Sequence, residues 1–371
     1  MADSYSEIIV PFATRPHLLE RYTNASGGIR TGMLMEHLDS LAGSISYKHM
    51  LGPSVEHVGS IEERGFYIVT ASVDRYVSLD MLARVDPHRD LRISGQVIYT
   101  GRSSMEAAVK MESIGGESYP PIFIGRFSMV CRDAATHLAK VVNPLVITDA
   151  DEQKLHAVGA DIKERRKVSS SRSLTRVPPS SEEAAELHSL YLTFGTSDDA
   201  PTDLPAERVW MGDTQLEKCM LMFPQERNTH NQIFGGYLMR LAYELGFANA
   251  SLFTRGHVNF LSLDGISFAR PVPIGSILRL TSYVLHSSSS PEYPTLVHIG
   301  VTAAVVDVET GSEQTTNEFR FTWCRGDGQP LARVVVPKTY REAMLWLEGK
   351  RALETGSEIR EVRRRAYHGS L

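Results

Sequence analysis

The sequence has few cysteines and no long hydrophobic segment. Its 371 residues include three cysteines, Cys131, Cys219 and Cys324, which are too few and too scattered for a disulfide framework or a metal cluster. Cys131 and Cys324 lie in apolar runs, so we expect both to be small buried hydrophobic residues. No apolar run approaches the roughly 20 residues that a membrane-spanning helix needs. These absences predict a protein of a reducing compartment that does not span a membrane.

An excess of basic charge is also lacking. The 39 lysines and arginines are outnumbered by 44 aspartates and glutamates, and the formal net charge is −5. A protein that binds nucleic acid through its phosphates usually carries a basic surface, so we expect no nucleic-acid partner. Hydrophobic residues make up 42% of the chain, which suffices for a sizeable core, and the length favours two domains over one.

Several catalytic and cofactor motifs are missing. The sequence contains no Gly-x-Ser-x-Gly nucleophile elbow, so a serine hydrolase has no support. It has no glycine-rich dinucleotide or phosphate-loop fingerprint, and no histidine pair at the spacing of a zinc protease. We therefore predict that the protein needs neither a metal nor an organic cofactor.

The sequence does contain an internal repeat. Residues 21–47 and 227–253 each have an Asn soon after an Arg, then a Gly, a Leu-Met pair and an apolar-rich stretch. A second pair of matching blocks, 126–144 and 320–337, closes each copy. Two ordered blocks in both halves are hard to produce by chance, and they indicate a duplicated domain. The matched pairs include Asn24 with Asn228, Gly32 with Gly236, Leu34 with Leu238, Arg132 with Arg325, and Lys140 with Arg333.

Periodic segments follow one another in the same order in both copies. Met33–His49 has the apolar spacing of a helix that is buried along at least one face, and four strand-like runs follow it. One helix followed by about four strands predicts an α+β unit, with a curved antiparallel sheet packed around a long helix. The strand-like runs are Phe66–Val73, Leu91–Tyr99, Met105–Met111 and Ile122–Val130 in the first copy, and Val258–Phe268, Ser276–Leu285, Thr295–Val308 and Thr315–Trp323 in the second.

These patterns set the expected domain boundaries. We predict an N-terminal domain over residues 1–148, a linker over 149–205, a C-terminal domain over 206–350 and a tail over 351–371. The linker is rich in charged residues, serine and proline, and is expected to be exposed to solvent. Within it, Ser181–Leu192 has the pattern of a short helix with Ser181 as its N-cap.

Two adjacent glycines, Gly235 and Gly236, mark the start of the helix in the second copy. Glycines at this place let a ligand approach the backbone, and the first N–H groups and the positive end of the helix dipole point outward. Such a helix start can bind a carbonyl oxygen and stabilise the negative charge that it gains on attack. Taken alone, the pair is better explained by a tight strand-to-helix turn.

An acidic residue lies on the helix of the first copy. Asp39 follows Thr31 by eight residues, a little over two helical turns, and has apolar neighbours in Leu38 and Leu41. Burying a carboxyl group in a core helix is costly, so such a group usually has a partner or a task. An exposed Asp, or one that makes a helix-packing hydrogen bond, explains the residue equally well on this evidence alone.

Together these residues resemble the hotdog-fold acyl-CoA thioesterases, and more closely the eukaryotic double-hotdog acyl-CoA thioesterase 9 group. The resemblance covers nearly the whole chain. It implies two tandem hotdog domains that form an intramolecular dimer, and hydrolysis of acyl-CoA to fatty acid and CoA. The blocks that carry it are Gly32 with Leu38-Asp39-Ser40-Leu41, Arg227-Asn228-Thr229-His230 with Phe234-Gly235-Gly236, Leu238-Met239-Arg240 with Tyr243-Glu244, and Pro337-Lys338-Thr339-Tyr340.

The resemblance also implies a mechanism. In these thioesterases a glycine at the head of the helix polarises the thioester carbonyl, and an acid eight residues later activates water or attacks directly. An upstream Asn from across the domain interface helps to hold the carbonyl or the water. Carried onto this chain, the catalytic residues are Asp39, Asn228, Gly235 and Gly236, with Asn24 as the second Asn, and Asp39 is expected to pair with Asn228. Further candidates for substrate binding are Thr31, Gly32, His230, Asn231 and Gln232.

Two departures from the family pattern distinguish the copies. Tyr243 occupies the acid position of the second copy, and Glu244 follows one residue later. A shift of one residue rotates a side chain by about 100° around a helix, so Glu244 is a second, less well placed candidate acid. Thr31 replaces the first glycine of the first copy. The acid and the full glycine pair thus lie in different copies, which favours one working site over two.

Other functions and the setting of the protein stay open at this point. An acyl-CoA-binding or regulatory protein with weak or lost hydrolysis would also explain the split between the acid and the glycine pair. Dehydration of a hydroxyacyl thioester would need an Asp-His pair, which the sequence does not reveal. The resemblance implies assembly into homo-oligomers, as trimers, and a mitochondrial matrix or cytosolic location. Residues 1–12 contain Asp3, Glu7 and no arginine, so they do not resemble a transit peptide.

Overall fold

The computed structural model describes residues 1–24, 28–55, 57–78, 89–115, 122–195 and 207–368. None of the helices in these ranges is both long enough and apolar enough to cross a bilayer. The helices are α1 (Pro16–Tyr22), α2 (Thr31–Leu51), α3 (Ile61–Arg64), α4 (Ala150–Ser171), α5 (Ser181–Phe194), α6 (Gly235–Thr254) and α7 (Tyr340–His368). The strands are β1 (Ser6–Val10), β2 (Phe66–Ser78), β3 (Leu91–Thr100), β4 (Ser104–Ser113), β5 (Phe123–Asp133), β6 (Arg208–Trp210), β7 (Leu216–Leu221), β8 (Asn259–Phe268), β9 (Ile277–Ser288), β10 (Thr295–Val306), β11 (Glu313–Arg325) and β12 (Val334–Val336).

Ten of these strands form one antiparallel sheet in the order β1-β3-β4-β5-β2-β8-β11-β10-β9-β7. In each half a long helix is followed by four strands, so the predicted α+β architecture is confirmed. The sequence analysis did not predict β1 and β7, which add an outer strand to each half. Both are short strands at the edges of the sheet. Each pairs with only one neighbouring strand, so pairing places fewer constraints on its sequence.

The two halves meet in the middle of the sheet. Strand β2 pairs with β8 in antiparallel register, with Ser72 opposite Ser267 and Val73 opposite Ile266. The central helices α2 and α6 also contact each other, and Arg240 Nε lies 2.9 Å from Glu36 Oε1. The sheet and the helix pair therefore join the halves into one body with a continuous hydrophobic core.

Helix α2 is buried on more than one side because it contacts both the sheet and α6. Leu34, Leu38, Leu41 and Ile45 are almost fully buried, as the spacing of these residues in the sequence predicts. Each such side chain contributes about 1.5–3 kcal/mol when it is removed from water. The core of the second half is filled by aromatic side chains of β11, Phe319, Phe321 and Trp323. Cys131 and Cys324 are buried, as expected.

The segment expected to be an exposed linker contains two helices, and the first of them packs against the sheet. A Cβ at Gly159 would lie 2.5 Å from Tyr99 Cβ, so the glycine lets α4 approach β3 closely. Arg166 of α4 is held by two carboxylates: Nε donates to Asp74 at 3.0 Å and Nη1 donates to Glu106 at 3.0 Å. The expectation that the linker is exposed to solvent is therefore wrong for Arg166, whose acidic partners come from β2 and β4.

Helix α5 confirms the short helix that the linker sequence predicts, with one change at its start. Ser180, not Ser181, is the N-cap, and it forms a capping box with Glu183. Glu183 also accepts hydrogen bonds from Arg351 of α7 at 2.6 and 2.7 Å. Helix α7 continues past residue 350 without a break, and Leu353 is buried. Within the described residues, no structural boundary separates the expected C-terminal domain from the expected tail. Residues 369–371 lie outside the described residues.

The contact of Arg166 gives a test of how α4 is held. Replacing Arg166 with Ala leaves Glu106, which is only 2% exposed, without its cationic partner. We expect Arg166→Ala to lower the free energy of unfolding by about 3 kcal/mol, because the remaining charge stays buried and unpaired. Urea denaturation followed by circular dichroism measures this change.

The neighbouring Arg165 provides a matched control. Its side chain is 79% exposed and pairs with Asp161 on the surface of the same helix. Arg165→Ala is expected to change the free energy of unfolding by less than about 1 kcal/mol. Equal effects of the two replacements would show that the buried ion pairs do not hold α4 on the sheet.

Candidate active site

Asp39 of the first half lies at the N-terminus of the central helix of the second half. Its side chain is buried, with 3% of the residue exposed. The carboxylate accepts a hydrogen bond from Thr70 Oγ1 at 2.8 Å and another from the backbone N–H of Gly236. The acid and the glycine pair, which the sequence places in different copies, are thus in direct contact.

Both glycines are needed for this close approach. A Cβ at Gly235 would lie 3.0 Å from Asp39 Oδ2 and 3.2 Å from the ring of Phe268. A Cβ at Gly236 would lie 2.9 Å from the Cα of Glu36, which is backbone and cannot move aside. Phe234, the N-cap of α6, makes no side-chain capping bond. The N–H of Gly236, in the first turn of α6, therefore donates to Asp39 instead of to a capping side chain.

The environment of Asp39 changes its acidity. Burial raises the pKa of Asp39 to about 6 from an ordinary value of 3.8, and the hydrogen bonds from Thr70 and Gly236 oppose that rise. A carboxylate with this pKa is largely ionised at neutral pH and is still basic enough to accept a proton. The arrangement has the properties of a general base beside the positive end of a helix dipole.

The equivalent position of the second half has no carboxylate. Tyr243 hydrogen bonds with Thr31, so the residue at the acid position again meets the helix start of the other half. Its ring lies 4.9 Å from the ring of Trp323 and 5.2 Å from that of Phe260. Burial raises the pKa of Tyr243 far above the physiological range, so the phenol stays neutral. This position is aromatic, partly buried and packed against the core.

Glu244 lies beside that position and has another partner. Arg30 Nε donates to Glu244 Oε1 at 2.8 Å, and the side chain of Glu244 is 30% exposed. Gly32 serves the packing of the two helices, because a Cβ there would lie 2.9 Å from Arg240 Cγ. Thr31, Gly32 and Glu244 thus group around the second position and not around Asp39.

Asn228 organises the loop that leads into α6. Its Oδ1 accepts the backbone N–H groups of His230 at 3.0 Å and of Gln232 at 3.1 Å. Its Nδ2 lies 2.8 Å from His230 Nε2. Asn231 adopts a positive φ of 58°, which Asn tolerates better than most residues. The loop is therefore a compact turn held together by the Asn228 side chain.

Asn24 holds the matching loop of the first half in the same way. Its Oδ1 accepts the backbone N–H of Gly28 at 3.0 Å, and its Nδ2 donates to the carbonyl of Ile29 at 3.3 Å. An isolated antiparallel bridge, Thr23 with Ile29, closes this loop, as Arg227 with Ile233 closes the other. The two asparagines thus share a local structural task.

His230 connects the Asn228 loop to the first half. Its ring lies 5.1 Å from that of Tyr67, a residue of β2 three positions before Thr70. Burial and the nearby Arg64 cation lower the pKa of His230 to about 4, so the ring is neutral at neutral pH. Because Asn228 Nδ2 is a donor, His230 Nε2 accepts and the proton resides on Nδ1. In the described structure, His230 Nδ1 and Gln232 Oε1 are buried without a hydrogen-bond partner.

Thr70 is the main residue of this site that sequence reasoning missed. It lies on β2 at alternate positions with Phe66 and Ile68, both of which are buried. Alternate residues of a strand point to the same face, so a polar Thr on an inward-facing row was a detectable signal. The identity of its partner was not detectable, because Asp39 is 31 residues away in the chain.

Comparison with known proteins identifies relatives of this chain. No family model matches it. The mitochondrial acyl-coenzyme A thioesterase 9 of cattle is 35% identical over 96% of this chain and 79% of its own length. The human thioesterase 9 is 35% identical over 95% and 77%, and the mouse mitochondrial thioesterase 10 is 35% identical over 96% and 78%.

Among solved structures, a Lactobacillus plantarum protein described as an oleoyl thioesterase matches 87% of this chain and 96% of its own. The TM-score is 0.52 and the identity is 10%, which supports a shared fold only. The chain thus combines the two-halved fold with sequence identity to the mitochondrial thioesterases along nearly its whole length. It belongs to the family of acyl-CoA thioesterases that includes thioesterases 9 and 10.

Proposed function

We propose that this protein hydrolyses acyl-CoA thioesters to a free acid and CoA at one site between its two halves. The observation that carries the proposal is the buried carboxylate of Asp39 in hydrogen-bond contact with the N-terminus of α6. Membership of the thioesterase family supports the same activity. Water, a carboxylate and backbone donors suffice for the reaction, so no metal or organic cofactor enters the proposal.

In the proposed reaction the N–H of Gly235 at the start of α6 holds the thioester carbonyl oxygen, while the N–H of Gly236 keeps its hydrogen bond to Asp39. Asp39 accepts a proton from a water molecule while the water oxygen bonds to the carbonyl carbon. The negative charge that develops on the carbonyl oxygen is stabilised by the N–H of Gly235 and by the positive end of the helix dipole. The carbon–sulfur bond then breaks, and the proton held by Asp39 neutralises the leaving thiolate.

The Asn228 loop supplies further contacts in this proposal. The Oδ1 and Nδ2 atoms of Asn228 both form hydrogen bonds within the turn, so we assign this residue the role of stabilising the loop. His230 Nδ1 and Gln232 Oε1 are buried polar atoms that a bound substrate or water can pair with. The low pKa of His230 makes it a neutral hydrogen-bond donor and a poor base at neutral pH.

Only one working site is proposed. Asp39 has its counterpart in Tyr243, which is neutral and surrounded by aromatic rings. Glu244 is paired with Arg30 on a different side of the helix. A non-hydrolytic acyl-CoA-binding protein is the second candidate, because the second position retains a helix start without an acid.

The setting of the enzyme follows its relatives in this proposal. The thioesterases 9 and 10 are described as mitochondrial, so we propose the mitochondrial matrix as the compartment, with the cytosol as the alternative. We further propose a homo-oligomer, a trimer of two-domain chains, and a role in fatty acid metabolism. Size-exclusion chromatography with light scattering measures the number of chains.

Replacing Asp39 separates the enzyme from the binding protein. Asp39→Asn keeps the shape and a hydrogen-bond acceptor but removes the base. A positioned general base contributes about 10²- to 10⁴-fold to a rate, so we expect kcat to fall by at least about 100-fold. Release of free CoA from acyl-CoAs of graded chain length is the measurement, with binding of acyl-CoA measured in parallel.

Glu244→Gln is the matched control on the other helix. Because Glu244 contacts Arg30 and not Asp39, its replacement is expected to leave kcat within about threefold. A wild-type protein that binds acyl-CoA but releases no CoA would support the binding protein. A large loss with Glu244→Gln alone would move the proposed base to the second half.

The pH dependence tests the role of the carboxylate directly. Since Asp39 acts in its ionised form, kcat/KM is expected to rise with pH through about 6 and to level off above it. Thr70→Val removes a hydrogen bond that favours the ionised form, so the acid limb should move to higher pH. Activity lost at pH 6 should then be partly recovered at pH 8. An acid limb that stays in place in Thr70→Val would contradict the assignment.

A further inference from the structure

A cavity lies at the C-terminal end of α6, opposite the end that carries the proposed active site. It has a volume of ≈ 390 Å³, and its lining includes Arg255, Arg325, Arg333 and the turn 327–330. Helix α6 has 20 residues, so this cavity lies about 30 Å along the helix from Gly235. A group at this distance takes no direct part in the chemistry at Asp39.

The cavity is positively charged. Within the described residues, no carboxylate lies at salt-bridge distance from Arg255, Arg325 or Arg333, although Asp327 also lines the cavity. Burial lowers the pKa of Arg333, and the positive charge of the nearby Arg255 lowers it further. The Nε group of Arg325 is buried and has no hydrogen-bond partner.

Helix capping explains only part of this cluster. Arg333 Nη1 donates to the carbonyl of Phe253 at 2.9 Å, and Arg325 Nη2 donates to Thr295 Oγ1 at 3.1 Å. The C-terminal end of a helix carries about half a negative charge. That partial charge and the one carboxylate of Asp327 offset only about half of three guanidinium charges. The two bonds fix the directions of Arg325 and Arg333 and leave their other N–H groups available.

At the corresponding position in the first half of the chain, the positive charge is neutralised by a carboxylate. Lys140 matches Arg333 in the repeat, and it pairs with Asp133 at 3.2 Å. Asp133 directly follows the residue that matches Arg325. In the second half the residue at this place is Gly326, and the acid of the turn is Asp327, one residue later, for which no ion pair with the three arginines is found among the described residues.

The second half has also gained a cation at the end of the helix. When the match of Gly32 with Gly236 is continued along the helices, Arg255 falls at the place of Leu51. Arg255 ends α6 in a left-handed conformation with φ of 53°, where Gly or Asn is usual. An arginine in this unfavourable conformation, beside two others, is poorly explained by packing.

We infer that this cavity is a binding site for a diphosphate group carried by a small molecule. Guanidinium groups form paired, charge-assisted hydrogen bonds with phosphate oxygens, and three of them around one cavity match a di-anion or tri-anion. The volume lies within the range of small-molecule sites. The shared chemistry is a phosphoanhydride, as in a nucleoside diphosphate or in the nucleotide part of CoA.

Insertion of one carboxylate tests the site. Gly326 has no atom within 4 Å of a Cβ built on it and does not have a positive φ, so a side chain fits there without strain. Gly326→Asp restores the acid that the first half carries, and it is expected to weaken binding of inorganic pyrophosphate about tenfold or more. Arg255→Gln, which removes a charge at the same place, should have a similar effect. Isothermal titration calorimetry on the full chain at fixed ionic strength measures both.

Gly326→Asn is the matched neutral control and is expected to bind pyrophosphate within about twofold of the wild-type chain. Titrations with ADP and with CoA identify the source of the diphosphate. Binding of ADP that Gly326→Asp weakens indicates a free nucleotide, and a similar loss for CoA indicates the nucleotide part of CoA. Each of these results supports the site.

Two results would overturn it. One is the absence of binding by pyrophosphate, ADP and CoA at millimolar concentration, and the other is equal binding by wild type, Gly326→Asp and Arg255→Gln. The rate of acyl-CoA hydrolysis without added pyrophosphate should stay within about twofold of the wild-type rate in Gly326→Asp, Gly326→Asn and Arg255→Gln, because Asp39 is at the far end of α6. A failure of the diphosphate site is therefore distinguishable from a failure of the proposed hydrolysis.

Discussion

The contact between α2 and the start of α6 is the constraint on which the rest of the structure depends. It brings a carboxylate of one half to the helix N-terminus of the other, and it requires glycine where a Cβ would meet backbone or the carboxylate itself. The pairing of β2 with β8 holds the halves in the register that this contact needs. Helix crossing, sheet continuity and the glycine pair are thus parts of a single geometric solution.

This solution includes a group that does not favour folding. A rise in the pKa of Asp39 from 3.8 to about 6 means that, at neutral pH, ionisation of the buried carboxyl costs the native state about 3 kcal/mol. That amount is a large fraction of the net stability of a typical domain. A core residue with this effect persists when another property depends on it, and a base of intermediate strength is such a property.

Local patterns in the sequence predicted the elements, and long-range contacts were beyond their reach. The spacing of Leu34, Leu38 and Leu41 predicted α2, and the match between copies placed Asp39 and Gly236 in corresponding helices. The hydrogen bond between Thr70 and Asp39 joins residues 31 positions apart. The ion pair between Arg166 and Glu106 joins residues 60 positions apart. Periodicity describes which face of an element is buried, but it does not identify the partner on the other side.

The aromatic surroundings of Tyr243 show what fusion of two domains into one chain makes possible. In a dimer of identical chains every substitution occurs twice, so a destabilising buried acid at one site is matched by an equal one at the other. A fused chain can vary the two positions independently. In the proposed mechanism one position keeps a charged group for chemistry, while its counterpart is filled with tyrosine, tryptophan and phenylalanine and adds to the core. On this proposal, catalysis and core packing are divided between the two halves.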